Sequence, residues 1–188
     1  MNIREGTPDD AAAMQAIYAH YVRHSPVTFE EEVPAVEDMR RRIETVLERH
    51  AFFVAEDGAG PDGGVFGYAY AAPYRARPAY RYTAEVSVYI HHARHAEGTG
   101  RALYARLMAW LAQHGFRAAV AALTLPNEAS VRLHEGAGFE KVGHFRDVGR
   151  KFDRWHDVGW WEKVLEGRRA GEPMRGGADV PGSNAPAS

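Results

Sequence analysis

The distribution of hydrophobic positions along the chain predicts a regular succession of helices and strands. In some segments the apolar residues lie three or four positions apart, as at Met14, Ile17 and Tyr21, which is the spacing of an amphipathic helix. In others they are continuous, as at 52–55, which indicates a strand. Read from the N-terminus, the predicted order is βααβββαβαββ. This mixture of strands and helices indicates a single mixed α/β domain.

Local signals place the ends of the predicted elements. Thr7 precedes Pro8 and two aspartates, which is a strong helix start, and that helix is expected to end near Ser25. Gly115 ends the third helix, and Asn127 opens the fourth. The predicted helices cover about 8–25, 36–49, 100–114 and 127–135, and the predicted strands 2–4, 52–56, 65–71, 81–90, 118–125, 138–149 and 155–165.

Composition then narrows the classes of protein. The chain has 188 residues, of which 45% are hydrophobic and 26% charged, and its formal net charge is -2. Such a domain buries a substantial core, and its near-neutral charge gives no reason to expect nucleic acid as a partner. Because there is no cysteine, disulfides, thiolate metal sites and cysteine nucleophiles are excluded. Since no apolar run is long enough to span a membrane, we expect a soluble cytoplasmic protein without membrane contact.

The last part of the chain has a different composition. From Gly167 onward Gly, Pro, Ala and Ser dominate without periodicity. Such a segment lacks the apolar residues of a packed core. We therefore predict one folded domain over residues 1–166 and a disordered tail over residues 167–188.

Two glycines separate a predicted strand from a predicted helix. Gly98 and Gly100 follow the strand that ends at Ile90. The start of a helix presents unpaired N–H groups, and glycines let a phosphate approach them closely. The loop lacks the lysine of a Walker A motif, and Leu103 stands where a dinucleotide fingerprint has its third glycine. A phosphate cradle and an ordinary glycine turn are both compatible with the pattern.

One carboxylate lies within the apolar strand that leads to the glycines. Side chains alternate along a strand, so Val86, Val88 and Ile90 share a face that we expect to be core. Glu85 lies on the other face with Ser87 and Tyr89. A buried carboxylate is unfavourable unless it is paired or used. Glu85 is therefore either a general base beside the ligand loop or a solvated residue on an edge strand.

The fourth helix carries a second set of polar residues. Asn127 is an N-cap candidate, Ser130 lies one turn later and His134 lies near the helix end. Capping and packing account for these positions. His134 could equally donate a proton, because histidine titrates near neutral pH.

Two clusters allow further chemistry. His91, His92 and His95 precede the glycines, but no acidic or cysteine residue has ligand spacing with them, so no metal site is expected. Arg75 and Arg77 lie between two tyrosines and could bind an anionic group through bidentate contacts. A solvated loop is the alternative for this second segment.

Several segments, taken in order, carry a family resemblance. They are IREGTPDDAAAMQAIYAHYV, TFE, GYAYAAPYRARPAY, TAEVSVYI, the glycine loop, LPNEASVRLHEGAGFEKVGHF and GRKFDRWHDVGWW. Over roughly residues 2–161 the chain resembles the phosphinothricin N-acetyltransferase family of the GNAT superfamily. The resemblance implies a mixed, mostly antiparallel sheet flanked by helices and an acetyl-CoA donor. It implies as acceptor the α-amine of an amino-acid analogue such as phosphinothricin, methionine sulfoximine or methionine sulfone.

The same resemblance implies roles for individual residues. Glu85 matches the catalytic glutamate, and His134 takes a position where most GNAT enzymes have a tyrosine. The positions matched to acetyl-CoA contacts are Val88, Tyr89, Ile90, His95, Gly98, Thr99, Gly100, Arg101, Ala102, Asn127 and Ser130. The positions matched to the acceptor pocket are Thr28, Phe29, Arg75, Arg77, Tyr80, Ser87 and Val158. His95 and Glu97 depart from the usual basic character of the loop, which bears on affinity for the donor.

The expected reaction is direct transfer without a covalent enzyme intermediate. Glu85 would remove a proton from the acceptor amine, backbone N–H groups of residues 87–90 would bind the thioester oxygen, and His134 would orient or protonate the departing thiolate. The rival hypotheses are an acyl-CoA sensor without catalysis and an enzyme that acetylates another amine or a peptide.

The aromatic residues near the end of the predicted domain are relevant to the oligomeric state of the protein. Phe152, Trp155, Trp160 and Trp161 lie in and around the final strand. The resemblance implies a homodimer, and aromatic residues are common at such interfaces. The alternative is that these rings fill the core of the monomer.

Overall fold

The computed structural model describes residues 1–58, 64–94 and 98–165. The predicted tail, and with it the predicted domain boundary at residue 166, lies outside this part of the chain. The elements of the described residues are β1 (Asn2–Glu5), α1 (Ala11–His24), α2 (Val36–Leu47), β2 (Phe52–Glu56), β3 (Val65–Pro73), β4 (Thr83–Ile90), α3 (Thr99–Gln113), β5 (Ala118–Leu125), α4 (Glu128–Gly136), β6 (Glu140–Lys151) and β7 (Arg154–Val164). The predicted order of strands and helices is thus confirmed.

The strands of the described residues form one sheet in the order β1-β2-β3-β4-β5-β7-β6. α3 crosses over between β4 and β5, so these two strands run parallel, as a crossover helix requires. The other neighbouring pairs in this part of the chain are antiparallel. The mixed, mostly antiparallel sheet is therefore confirmed.

Helices cover both faces of the sheet and produce two hydrophobic clusters. On one face α3 buries the four residues predicted from its period, Leu103, Leu107, Met108 and Leu111. On the other face α1 and α2 pack over β2 and β3, and they bury Met14, Ile17, Met39, Ile43 and Val46. The helical spacing of apolar residues in the sequence also predicts an inward position for Leu47. Leu47 is the last residue of α2, however, and its side chain is 39% exposed.

The first helical turn is fixed by an ion-pair network rather than by the side chain of Thr7. A 3₁₀ turn over Pro8–Asp10 precedes α1. The Asp10 carboxylate accepts the backbone N–H of Thr7 at 2.7 Å and two N–H groups of Arg4 at 2.7 and 2.9 Å. Arg4 also donates to Glu56 at 2.8 Å. The network ties the start of α1 to β1 and β2.

β4 is an interior strand, so the interpretation of Glu85 as a solvated residue on an edge strand is wrong. Val86 is buried, as predicted, and Val88 and Ile90 are partly buried against the cluster under α3. The opposite face is also covered, because Tyr89 packs against the cluster under α1 and α2. Both faces of β4 therefore lie inside the protein.

β6 and β7 form the hairpin predicted at the end of the domain. Trp161 is 2% exposed and belongs to the core under α3, and Trp160 is half-buried. Phe152 and Trp155, in contrast, are 52% and 61% exposed. The interpretation as core of the monomer is thus confirmed for Trp161, whereas Phe152 and Trp155 lie on the surface of the monomer.

Candidate active site

The parallel pair of the sheet is short, and a cavity opens where it ends. β4 pairs with β5 only through Thr83–Glu85 and Ala118–Val120, although β4 continues to Ile90 and β5 to Leu125. Beyond this pairing the two strands enclose a cavity of about 540 Å³. Its walls include Val86, Ser87, Val88, Tyr89 and Ile90 of β4 and Ala122, Leu123 and Thr124 of β5. The edges of two strands, with backbone donors and acceptors not used in pairing with one another, therefore face this space.

The N-terminus of α3 forms one end of the cavity. Gly98 is its N-cap residue and has φ +77°, a left-handed conformation that favours glycine. Gly98, Thr99, Gly100 and Arg101 all line the cavity, whereas the predicted Ala102 does not. The hydroxyl of Thr99 is buried and has no hydrogen-bond partner among the described residues. The positive end of a fifteen-residue helix is thus directed at a space with an available donor. The predicted His95 lies outside the described residues.

Gly100 has a second structural reason to be glycine. A Cβ atom at this position would lie 3.0 Å from a methyl carbon of Leu133 in α4. The close approach of α3 and α4 therefore depends on the missing side chain.

α4 places His134 in the wall of the same cavity. Asn127 caps the helix by accepting the backbone N–H of Ser130 at 3.1 Å, so the capping interpretation of Asn127 is confirmed. Asn127 and Ser130 also line the cavity. His134 lies one turn after Ser130 and is 3% exposed. Burial lowers the pKa of His134, although the bond to the Ser130 carbonyl acts in the opposite direction.

The hydrogen bonds of His134 define its neutral form. Nδ1 lies 2.7 Å from the carbonyl oxygen of Ser130, which can only accept, so Nδ1 carries the proton. Nε2 is then an acceptor, and it lies 2.8 Å from the hydroxyl of Tyr104, which donates to it. Both nitrogens of His134 are therefore occupied, and Tyr104 shares its proton with the histidine.

Tyr104 is a site residue that the sequence analysis did not identify. It is fully buried on α3 and lines the cavity beside His134. Its position offered a signal, because it lies three and four residues before the core residues Leu107 and Met108 and so falls on the buried face. A tyrosine on such a face needs a partner for its hydroxyl.

Glu85 lies at the point where β4 and β5 separate. It is the last residue of β4 that pairs with β5, where it is opposite Val120, and on its other side it pairs with Ala72 of β3. Burial raises the pKa of Glu85, and the positive charge of Arg75 partly opposes this shift. Glu85 does not itself line the 540 Å³ cavity, but the next two residues of β4 do.

The residues predicted for the acceptor pocket occupy four different elements. Arg75, Arg77 and Tyr80 are exposed in the segment between β3 and β4, and the guanidinium of Arg75 lies over the Tyr74 ring at 4.5 Å. Ser87 of β4 is opposite Tyr70 of β3. Thr28 and Phe29 follow α1, and Val158 lies on β7 opposite Thr124 of β5. The structure brings Arg75 into electrostatic range of Glu85.

The described residues offer neither a metal site nor a membrane-spanning helix. Within residues 1–58, 64–94 and 98–165, no group of three or more potential ligands could hold a metal ion. In that same part of the chain, none of the helices combines the length and the apolar character needed to cross a bilayer.

A sheet with one short parallel pair, a crossover helix and a cavity between the diverging strands defines the class of protein, which is a GNAT acetyltransferase domain. The model of the acetyltransferase (GNAT) domain matches residues 3–160. A structure of a GNAT superfamily phosphinothricin acetyltransferase from Sinorhizobium meliloti in complex with AcCoA is similar, with a TM-score of 0.85, 30% identity and 94% of each chain covered. An N-acetyltransferase from Staphylococcus aureus has a TM-score of 0.83 at 30% identity, over 88% of this chain and 98% of that one.

Relatives with named activities identify the family within this class. The chain is 38% identical to a phosphinothricin N-acetyltransferase from Streptomyces viridochromogenes over 93% of each chain. It is 33% identical to an L-methionine sulfoximine/L-methionine sulfone acetyltransferase from Salmonella typhimurium over 88% of this chain and 95% of the relative. The chain belongs to the phosphinothricin N-acetyltransferase family.

Proposed function

We propose that the protein transfers an acetyl group from acetyl-CoA to the α-amine of a small amino-acid analogue such as phosphinothricin, methionine sulfoximine or methionine sulfone. The observation that carries this proposal is the divergence of β4 and β5 directly after Glu85. It leaves a carboxylate of raised pKa at the head of a cavity that ends at a helix N-terminus. A candidate base thus precedes the first residues of a cavity whose other end is an anion-binding helix N-terminus.

The cavity fits acetyl-CoA chemically. The first turn of α3 offers N–H groups to a pyrophosphate, and the left-handed Gly98 presents no side chain there. The part of the β4 backbone that does not pair with β5 offers donors and acceptors to the amide groups of the pantetheine arm. Gly98, Thr99, Gly100, Arg101, Asn127 and Ser130 are the residues we assign to the donor, together with Val88, Tyr89 and Ile90.

We assign the proton transfer from the acceptor to Glu85. The acceptor, whose α-amine is an ammonium ion near neutral pH, loses a proton to the carboxylate directly or through water, and the lone pair of the resulting neutral amine then attacks the thioester carbonyl carbon. A backbone N–H of residues 87–90 donates to the carbonyl oxygen as negative charge develops. The carbon–sulfur bond breaks, and the sulfur leaves as a thiolate. A carboxylate with a raised pKa is a stronger base than an ordinary glutamate, which suits it to this task.

The hydrogen bonds of His134 favour an orienting role for it. A neutral histidine with a lowered pKa is a poor acid near neutral pH, and its Nε2 is occupied by Tyr104. We therefore assign His134 to holding the Tyr104 hydroxyl. Burial raises the pKa of Tyr104, so we assign the pair to orienting the departing thiolate, which takes up the proton that the attacking nitrogen loses as the amide forms.

We assign the acceptor to the side of β4 that carries Glu85 and Ser87. Arg75 and Arg77 supply positive charge for a carboxylate, phosphinate or sulfonyl oxygen, and Tyr80 lies in the same segment. Thr28, Phe29 and Val158 are assigned to the remaining walls of this pocket.

One experiment separates this proposal from its rivals. The purified protein is mixed with acetyl-CoA and a panel of amino acids and analogues, and thiol release is followed. Release that depends on phosphinothricin or methionine sulfoximine supports the proposal. Binding of acetyl-CoA without thiol release in the presence of any amine would identify a sensor. Thiol release only with peptides would identify peptide amines, rather than small amino acids, as the substrate class.

We further propose that the active unit is a homodimer formed through the β6–β7 hairpin. β6 is an edge strand, and Val142, Phe145 and Val148 along it are more than half exposed. Phe152 and Trp155, at the turn of the hairpin, are also more than half exposed. An apolar edge strand of this kind is unfavourable in water unless it is covered, and a second copy of the hairpin offers a complementary surface.

A further inference from the structure

A lysine from the far end of the chain holds the loop that follows α1. Lys151, the last residue of β6, is 3% exposed. Its ammonium donates to the carbonyl oxygen of Ser25 at 3.0 Å and to that of Thr28 at 2.8 Å. These bonds cross 126 and 123 residues of sequence, so they connect two parts of the chain that local folding does not bring together.

The bond to Thr28 fixes the backbone next to Phe29 and can therefore determine where the Phe29 side chain lies. The Thr28 carbonyl belongs to the peptide unit that joins Thr28 to Phe29, so the ammonium fixes the orientation of that peptide plane. Phe29 in turn lies over the hairpin, since a Cβ atom at Gly149 would be only 2.3 Å from its ring carbons. Its ring is also 6.2 Å from that of His156, which is opposite Gly149 in the hairpin.

Other hydrogen bonds of the loop are made within it or by α1 and α2. The hydroxyls of Ser25 and Thr28 accept the N–H groups of Val27 and Glu30 at 3.2 and 3.3 Å. Tyr18 of α1 places its hydroxyl 2.6 Å from that of Thr28, and Arg42 of α2 holds Glu30 through two bonds at 2.7 and 3.2 Å. These contacts fix the side of the loop that faces α1 and α2. The side that faces β6 and β7 depends on Lys151 and on the close contact of Phe29 with Gly149.

The ammonium of Lys151 donates to two carbonyl groups and lies 5.0 Å from the centre of the Phe152 ring, and the charges of Glu30 and Glu31 also act on it. These contacts offset the unfavourable removal of a cation from water only in part, since burial still lowers the pKa of Lys151. What such a residue supplies is geometry, because it can hold the carbonyls only in one arrangement.

We propose that Lys151 and Gly149 are positioning residues, through which the β6–β7 hairpin sets the place of Thr28 and Phe29 in the acceptor pocket. This inference rests on the proposed function, in which those two residues form a wall of that pocket. The hairpin then determines how tightly the acceptor is held, and it acts less on the donor cavity, to which the same loop contributes Val27 but neither Thr28 nor Phe29.

The test uses two variants that reach the loop by different routes. Lys151→Met removes the ammonium and keeps the length of the side chain, whereas Gly149→Ala keeps the ammonium and displaces the Phe29 ring. Lys163→Met is the matched control, because Lys163 lies on the same hairpin and donates to a different carbonyl, that of Ala137. If one variant fails to fold, the other still decides the proposal.

Steady-state kinetics provide the first measurement. Both variants should raise the acceptor KM by about tenfold to a hundredfold, the scale expected when reacting groups are misplaced by about 1 Å, and should raise the acetyl-CoA KM much less. The control should leave the acceptor KM unchanged. An equal rise of both KM values, or no rise of the acceptor KM, would overturn the proposal.

Amide hydrogen exchange of residues 25–31 in the absence of substrate provides the second measurement. Exchange should be at least about tenfold faster in Lys151→Met than in the control. Equal exchange overturns the proposal even if the enzyme is active. If the wild-type protein acetylates no amine in the panel, the proposed function fails, and the exchange data still report whether Lys151 holds the loop.

Discussion

At the scale of single residues, burial moves the two central titratable groups in opposite directions. It raises the pKa of Glu85 above its usual 4.5 and lowers that of His134 below its usual 6.5. Glu85 was identifiable from the sequence, because an acid in an apolar strand stands out from the period of two. The bonds of His134 to Tyr104 and Ser130 were not identifiable, because they depend on how α3 and α4 pack in three dimensions.

Glu85→Gln keeps the shape of the side chain and removes its basicity. We expect kcat to fall by about 10²–10⁴, the usual contribution of a general base, while acetyl-CoA binding stays normal. In the wild-type protein kcat/KM should rise with pH through an apparent pKa above 4.5, since the raised pKa requires a higher pH to ionise the group, and this limb should vanish in the variant. Glu44→Gln, at an exposed position of α2, is the control. An unchanged pH profile in Glu85→Gln would refute the assignment.

Arg77→Ala tests the acceptor pocket. Hydrogen bonds to charged groups contribute about 1.5–3 kcal/mol, so the acceptor KM should rise about tenfold to a hundredfold with the acetyl-CoA KM unaffected. Arg81→Ala is the matched control, because Arg81 lies in the same segment and bonds to the carbonyl of Pro78. Equal losses for donor and acceptor would indicate a folding role, and an unaltered acceptor KM would place the pocket elsewhere.

At the scale of elements, the spacing of apolar residues, together with the signals at helix ends, was sufficient to predict the α-helices and strands of the described residues in their order. The ends were less predictable. The signal at Thr7 marked the start of a 3₁₀ turn, and the α-helix begins at Ala11. The short pairing of β4 with β5 has no signature in either strand, because the apolar pattern of a strand does not record how far it pairs with its neighbour.

The junction of α3 and α4 can be tested with a compensating pair. Gly100→Val should raise the apparent acetyl-CoA KM by about tenfold or more, because a side chain there obstructs the helix N-terminus. Some of this loss could come from the contact with Leu133, so Gly100→Ala is measured with and without Leu133→Ala. If the N–H groups bind the pyrophosphate, the loss persists when Leu133 is shortened. Full recovery in the double variant would mean that Gly100 serves packing alone.

The Arg4–Asp10 pair should make the anchoring of α1 sensitive to acid. Burial opposes the ionisation of Asp10, but the bonds from Arg4 and Thr7 outweigh it and lower the pKa below 3.8. A lowered folded pKa means that this stabilisation is complete above the unfolded value and is lost as the pH falls through the folded value. Asp10→Asn should reduce the free energy of unfolding by about 1.5–3 kcal/mol at neutral pH. Urea unfolding between neutral and acidic pH measures both effects, with the exposed Asp9→Asn as control; equal stability of the two variants would contradict the prediction.

At the scale of the whole molecule, the proposed acceptor pocket draws on segments that lie far apart in sequence, from Thr28 to Val158. Its composition could be inferred from the sequence only through the family resemblance, since periodicity carries no information about which loops meet. The support of Phe29 by Lys151 and Gly149 was not predicted for the same reason. The division of the late aromatic rings between core and surface likewise depended on the register of β6 and β7.

Assembly is tested by light scattering at micromolar concentration. We expect twice the mass of the chain, and Phe145→Asp should yield a monomer, because a charge on the apolar face of β6 opposes its burial. Val36→Asp, at a residue of similar character on α2 that is 41% exposed, should remain dimeric. Truncation after Gly167 should also leave the dimer intact. A wild-type monomer with full activity would disprove the homodimer.

The short contact between β4 and β5 also has a mechanical consequence. Strands β1 to β4 form one part of the sheet and β5 to β7 the other, and three residue pairs between β4 and β5 join the two parts. The two parts should therefore rotate relative to each other most easily about this junction, and a ligand that hydrogen-bonds to both β4 and β5 beyond their pairing would strengthen it. Occupancy of the cavity should then slow exchange of the β4 amides 86–90 and raise the melting temperature of the whole domain, so that the donor substrate stiffens the enzyme along the same line on which the reaction takes place.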